Sequence, residues 1–167
     1  MEPLVRQQFT FNMATINDAS RAIVEKIDAD AHAVSLHIRR GDYLLPKFWK
    51  STGSVCGLNY YQRAINTILS TDLAAFFYIF SDDMDWVKEN QRIPDATYVD
   101  ANTGNDSWQN MMLISHCRHH IICNSTFSWW GAWLSPHADG TVIAPERWFN
   151  GADVPHICPG WTKIKVD

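Results

Sequence analysis

The stretch that most constrains this chain is the unbroken apolar run Ala74-Ala75-Phe76-Phe77-Tyr78-Ile79-Phe80, stopped by Ser81-Asp82-Asp83. A strand that alternates apolar and polar residues can leave one face in water, but a run apolar on both faces cannot. It predicts a central parallel strand with helices covering both sides of the sheet.

The flanking sequence supplies those helices. After a linker-like start, Asn17 or Asp18 is placed to cap a helix with Ala22, Ile23 and Ile27 on its apolar face. Val34, Leu36 and Ile38 alternate with Ser35 and His37, the period of a strand. Residues 43–57, with Pro46, Gly53 and Gly57, read as a long ordered loop over that strand's end. Asn59 then caps a second helix carrying Tyr60, Ala64, Ile65 and Ile68 at helical spacing. Beyond the central run, Asp83 to Asn90 is a short helix broken at Pro94-Asp95, and Thr97-Tyr98-Val99 is a strand. The turn from Asn102 to Asp106 leads into a third long helix through Trp108, Met112 and Leu113. His119 to Cys123 is a strand, Phe127 to Leu134 a helix and Thr141 to Ala144 a strand, and the tail from Pro145 is irregular. Strands alternating with helices mean βαβ units, so the expected fold is α/β with a doubly wound, mostly parallel sheet.

Composition narrows the function classes. A chain of 167 residues with 46% hydrophobic content is one globular domain. The net charge of −4 gives no general pull toward nucleic acid or anionic lipid, so no nucleic-acid partner is expected. No apolar run approaches the ~18 residues of a membrane span, and the start lacks a signal-peptide layout. The four cysteines form no regular framework, which favours a reducing compartment. A cytoplasmic protein is expected, with peripheral contact at the inner face of the membrane compatible with the chain.

In a doubly wound sheet the loops after Ile38, Phe80 and Cys123 open at the same edge, where ligands bind. The first delivers Arg39, Arg40 and Asp42. Adjacent guanidiniums are costly unless an anion meets them, and their forked donors suit phosphate. The R-G-D tripeptide at 40–42 is too short to be read as an adhesion tag. The third loop, Asn124-Ser125-Thr126, sits at a strand-to-helix turn whose free N–H groups and dipole favour an anion. Ser125 or Thr126 alone would be read as a helix cap. Opposite two arginines, the pair reads as a diphosphate site without a P-loop.

Asp83-Met84-Asp85 formally spells a D-x-D metal motif, yet it also has the composition of a helix start. A site with two arginines has less need of a metal, so none is expected. His116, Cys117, His119, His120 and Cys123 match no standard zinc spacing, and strand alternation would point successive ligands apart. Trp129, Trp130 and Trp133 could stack on a sugar, although three indoles so close together more often fill a core.

In combination these segments resemble one family. H-I-R-R-G-D-Y, F-Y-I-F-S-D-D-M-D-W, C-x-x-x-I-I-C-N-S-T-F-S-W-W-G-A-W-L and I-A-P-E-R-W-F-N, in that order, are similar to the bacterial α-1,2-fucosyltransferases of glycosyltransferase family 11, from about Phe9 onward. The resemblance implies a GT-B-type enzyme of two Rossmann-like halves, of which this chain is the C-terminal, donor-binding one. It implies inverting, metal-independent transfer of fucose from GDP-fucose to the 2-hydroxyl of a galactose-containing glycan, with no cofactor. Position by position, Arg39 corresponds to the essential diphosphate arginine, Arg40 to its neighbour and His37 to a nucleoside contact. Asp42 would fix the loop or interact with the arginines; it is a candidate for the base, which otherwise belongs to the other half or is not needed. Ser81 and Asp82 match a supporting motif, and Asn124, Ser125, Thr126 and the Phe127 backbone the segment that receives the β-phosphate.

Two departures stand out. The acceptor-facing half of the family is expected to be absent from this chain, which then binds a donor but is weakly active or inactive alone. Relatives usually carry Asp where this chain has Asn110, and an amide offers guanine one accepting oxygen where a carboxylate offers two. Asp106, one turn earlier, is a possible substitute. The competing readings are a fucosyltransferase of another linkage such as α-1,6, a nucleotide- or sugar-binding module without activity, and a metal-dependent transferase using Asp83 and Asp85.

Overall fold

A computed structural model of the chain describes residues 2–91, 93, 95–151 and 157–166. Its centre is a sheet of six strands in the order β3-β2-β1-β4-β5-β6: β1 Ala33–Ile38, β2 Phe76–Ser81, β3 Ala96–Val99, β4 His119–Ile121, β5 Val142–Pro145 and β6 Thr162–Ile164. Every pairing is parallel, as the apolar run required. Successive residues of β2 serve opposite faces: Phe77 and Ile79 join one core cluster, Tyr78 and Phe80 the other. Full burial of each such side chain contributes about 1.5–3 kcal/mol.

Three helices are α1 Glu2–Gln8, α2 Asp18–Asp28 and α3 Pro46–Phe48. Four more are α4 Leu58–Thr71, α5 Met84–Asn90, α6 Trp108–His116 and α7 Thr126–Leu134. Residues of α4 and α5 pack into the first core cluster and residues of α2 and α6 into the second, so the sheet is doubly wound. Behind β4 and β5, Ala132 of α7 meets Ile122, Ala144 and Trp148 in a third cluster.

Several expectations need correction. The start is helical (α1) rather than a linker. Asn17 caps α2 as expected, but Val24 rather than Ala22 joins Ile27 in the core. The cap of α4 is Gly57, and Asn59 lies inside the first turn, because Gly57 takes the extended backbone a cap requires. Residues 43–57 are wound into short turns, a 3-10 turn at Gly41–Leu44, then α3 and a π turn at Trp49–Gly53. The tail beyond Pro145 contributes β6, too short for its pattern to be read from sequence. Pro94 lies outside the described residues.

β1 departs from its pattern most instructively. Ser35 and His37 are as buried as the apolar residues between them. A strand at the centre of a two-sided sheet must bury both faces, so its polar side chains need partners. Ser35 Oγ meets His120 Nδ1 at 2.8 Å, and His37 Nδ1 meets Cys123 Sγ at 3.3 Å.

Candidate active site at the carboxyl edge of the sheet

The register places the site. Ile38 pairs with Ser81, so β1 and β2 end side by side and release Arg39 beside Asp82. Arg39 Nη1 lies 3.1 Å from Asp82 Oδ2, and Nη2 donates to Asp42 Oδ1 at 2.8 Å. Burial opposes the Arg39 charge, but Asp82 and Asp42 outweigh it and raise its pKa. Asp82 also accepts from the Arg40 backbone N–H at 2.8 Å. Gly41 makes this turn possible, since a Cβ there would lie 2.1 Å from Asp82 Oδ2.

The two arginines do different things. Arg40 lies flat on Trp86, 3.4 Å from the ring centroid, and its Nε donates to Asp83 Oδ2 at 3.0 Å. Asp83 also caps α5 through the Trp86 N–H, so this carboxylate of the D-x-D motif already has two structural partners. Arg39 lines a cavity of about 490 Å³ together with His37, Ser81, Asp82, Asn110 and Phe127. That volume suits a nucleotide-sized ligand. Arg40 instead lines a smaller neighbouring cavity of about 320 Å³ with Tyr43, Trp49 and Trp86, and Arg39 forms part of both walls.

The remaining predicted residues surround the cavity in supporting positions. Ser81 Oγ accepts from the Asp83 N–H at 3.0 Å. Asn124 is buried, and its amide donates to the carbonyls of Thr52 and Trp148, each at 3.0 Å, tying three loops together. Ser125 is the cap of α7 and accepts from the Phe127 N–H. Thr126 is exposed at the first turn of that helix, and Phe127 packs on His37 with ring centroids 5.5 Å apart. Burial first, and the Arg39 charge second, pull His37 down to about 3, so the imidazole is neutral. Burial pushes its partner Cys123 up to about 11, so this thiol is neutral too.

Some site residues carried no recognisable signal. Tyr43 donates to the Asn124 carbonyl at 2.8 Å and so clips the arginine loop to the β4–α7 turn. Beside Asn110, which the resemblance singles out, the cavity is lined by Asn102, Thr103, Gly104 and Ser107, all uncharged, and by Asp100, whose carboxylate is paired with Lys88 at 2.7 Å. The polar turn at 102–106 is visible in the sequence, but its place in the cavity wall follows from where β3 ends. Asn110 exchanges hydrogen bonds with Asn102: its Oδ1 accepts from Asn102 Nδ2 at 2.9 Å, and its Nδ2 donates to the Asn102 carbonyl at 3.1 Å. A carboxylate at 110 would set oxygen against that carbonyl. Asp106, the possible substitute, accepts from Gln109 Nε2 at 3.3 Å.

Among the described residues no three His, Cys, Asp or Glu side chains gather as a metal site. The histidines and cysteines of 116–123 are dispersed instead. His116 pairs with Asp28, the Cys117 thiol donates to the Leu113 carbonyl, and His119 accepts from the Thr141 N–H. Trp129, Trp130 and Trp133 form a half-buried surface cluster, joined by Trp161 and Phe9. No described helix is long and apolar enough to cross a membrane.

Comparison with known proteins agrees with this geometry. An O-antigen biosynthesis glycosyltransferase, WbnK, of Escherichia coli is 38% identical over 73% of this chain and 41% of its own length. An alpha-1,2-colitosyltransferase of Escherichia coli is 36% identical over 80% of this chain and 48% of its own length. The human galactoside alpha-(1,2)-fucosyltransferase 1 is 33% identical over 80% of this chain and 39% of its own length. The chain thus spans less than half the length of these relatives. The model of glycosyl transferase family 11 matches residues 11–164, and the chain belongs to that family.

Proposed function

We propose that this chain is the donor-binding part of an α-1,2-fucosyltransferase, holding GDP-fucose for transfer to the 2-hydroxyl of a galactose-containing glycan. The observation that carries this reading is the polarity of the larger cavity. Arg39 lines it together with the neutral hydrogen-bonding groups of Asn102, Thr103, Ser107 and Asn110, beside an Asp100 already paired with Lys88, a combination that suits a nucleoside diphosphate. The relatives' names, all α-1,2 or O-antigen transferases, support the linkage and the sugar class.

The reaction would be one in-line displacement at the fucose anomeric carbon, inverting its configuration. The acceptor oxygen forms the new bond while the bond to the β-phosphate oxygen breaks, and GDP leaves with that electron pair. Negative charge grows on the departing phosphate, and stabilising it is the protein's main task. Arg39 supplies the forked donor, and the start of α7 supplies its dipole. With those charges in place the transfer needs no divalent metal. Asp42, hydrogen-bonded to Arg39, orients the guanidinium and is the candidate for receiving the acceptor proton. The setting is a reducing compartment, the cytoplasm or the inner face of its membrane, in line with the buried Cys117 and Cys123, which are thiols rather than halves of a disulfide.

The test is to compare GDP with guanosine. Wild-type protein binds GDP far more tightly, and Arg39→Ala brings GDP down toward the guanosine affinity. An Arg39→Ala protein with undiminished preference for GDP contradicts the assignment.

A further inference from the structure

Asn17 and Asn102 form an amide relay that we propose sets the hydrogen-bonding polarity of Asn110 and hence the choice between a 6-oxopurine and a 6-aminopurine. The inference rests on the nucleoside-diphosphate reading of the cavity. An amide group flipped end for end has nearly the same shape, so its direction is decided by its partners. Here both ends of the chain of amides are tied to backbone groups that have no such freedom.

At the outer end the Ser20 backbone N–H donates to Asn17 Oδ1 at 2.8 Å, the cap of α2. That leaves Asn17 Nδ2 to donate to Asn102 Oδ1, also at 2.8 Å. Asn102 Nδ2 is thereby directed at Asn110 Oδ1, at 2.9 Å, and at Ser20 Oγ. At the inner end the Asn102 backbone carbonyl, which can only accept, takes Asn110 Nδ2 at 3.1 Å. The two backbone anchors demand the same direction, so the relay has one polarity.

Asn102 and Asn110 are nine-tenths buried and line the cavity; Asn17 stands outside it. Asn102 uses one lone pair and one N–H of Asn110, leaving one of each for a ligand. A 6-oxopurine presents an acceptor at position 6 beside a donor at position 1, and a 6-aminopurine presents the reverse. A base tethered through its ribose to a diphosphate at Arg39 meets the amide in one direction only. A fixed amide therefore pairs with one of these edges and sets donor against donor and acceptor against acceptor on the other.

Asn17 is a positioning residue in this scheme, and that separates the proposal from a contact role. Asn17→Asp keeps the cap, since aspartate accepts from the Ser20 N–H as well as asparagine does. It replaces the Nδ2 donor toward Asn102 Oδ1 with a carboxylate oxygen, leaving Ser20 Oγ at 3.2 Å as the remaining donor there. The Asn102 amide is then drawn to turn its Nδ2 to the new carboxylate and its Oδ1 toward Asn110, against the pull of the backbone carbonyl, and the single polarity is lost. Asn17→Ser also caps but is too short to reach Asn102; it adds no charge and leaves Ser20 Oγ, 3.2 Å from Asn102 Oδ1, as the donor there, so it serves as the control in which the polarity is kept.

The experiment is calorimetric titration of GDP and ADP into wild-type, Asn17→Asp and Asn17→Ser protein, with melting curves on each. The expected result is a clear wild-type preference for GDP that is kept in Asn17→Ser and falls about tenfold in Asn17→Asp, with ADP affinity held or raised. A merely loosened fold would weaken both nucleotides alike and leave their ratio unchanged. An unchanged ratio in Asn17→Asp overturns the relay while leaving the donor site standing. Wild-type protein that binds neither nucleotide overturns the reading of the cavity, and the relay with it.

Discussion

The two ends of the larger cavity are built on opposite plans. Around Arg39 the side chains are charged and at least partly in water: Arg39, Asp42, Asp82, and beyond them Arg40 with Asp83. Around Asn110 the buried side chains are neutral amides, Asn102 and Asn110, and each amide is held by the next. Ion pairs open to water contribute little stability and rearrange readily, which suits groups that must exchange Asp82 and Asp42 for a phosphate. Buried amides without their partners are expensive, which suits groups that must not move. On the proposed reading one end supplies force and the other discrimination.

The sharpest way to break this contrast is to remove the force. Arg39→Ala should cost about 2–4 kcal/mol of transition-state stabilisation in the assembled enzyme, roughly 30- to 1000-fold in rate. Arg39→Lys should recover little of it, because the fork is lost. Arg40→Ala should matter far less, since its guanidinium is occupied by Trp86 and Asp83. Steady-state rates on the three variants decide; equal losses at 39 and 40 would erase the distinction drawn between them.

The amide end should respond in stability. Asn102→Leu strands Asn17 Nδ2 and Asn110 Oδ1, at a cost of about 2–3 kcal/mol measurable as a lower urea midpoint. A midpoint unmoved by this change would mean that the relay is not held rigidly.

Acid probes what lies beneath the cavity. His37 and His120 are both held down to about 3, chiefly by burial, against an ordinary 6.5. Below pH 6.5 the unfolded chain takes up protons on these histidines and the folded chain does not. Stability is therefore full above pH 6.5 and declines as pH falls toward 3, by about 1.4 kcal/mol per pH unit for each histidine. Urea denaturation at pH 7 and pH 5 reads this directly, and equal stability at both contradicts the neutral pair.

The smallest effect belongs to Gly41. A methyl group there must push the Asp82 carboxylate away from Arg39 and the Arg40 N–H, and Asp82 can yield because its carboxylate is the end of a side chain. Gly41→Ala should cost about 1 kcal/mol in GDP affinity with little change in melting temperature. Loss of folding instead would show the turn to be structural rather than part of the charged end.

The charged end was legible in the sequence, whereas at the neutral end only Asn110 was, and the amides that hold it were not. Arg39-Arg40, Ser81-Asp82 and Asn124-Ser125-Thr126 each follow an apolar strand directly, so a parallel sheet brings them to one edge whatever the loops do. Which arginine faces the cavity was not readable from residue types, because it depends on Trp86 and Asp83 from another element. Asn102 and Asn17 are 85 positions apart and carry no motif. Their contact exists only once α2 and α6 pack on the same face. Short elements were lost for a similar reason: β6 has three residues and is held by pairing with β5 rather than by its own pattern. Ser35 and His37 looked like the wet side of a half-buried strand, and the strand's central place in the sheet reversed that.

The most direct measurement is calorimetric titration of GDP into the 167-residue protein, in EDTA and then in magnesium, with UDP and ADP alongside. The account predicts binding that selects GDP and is indifferent to EDTA. Binding that disappears with EDTA, or a folded protein that takes up GDP no better than UDP and ADP, would contradict it.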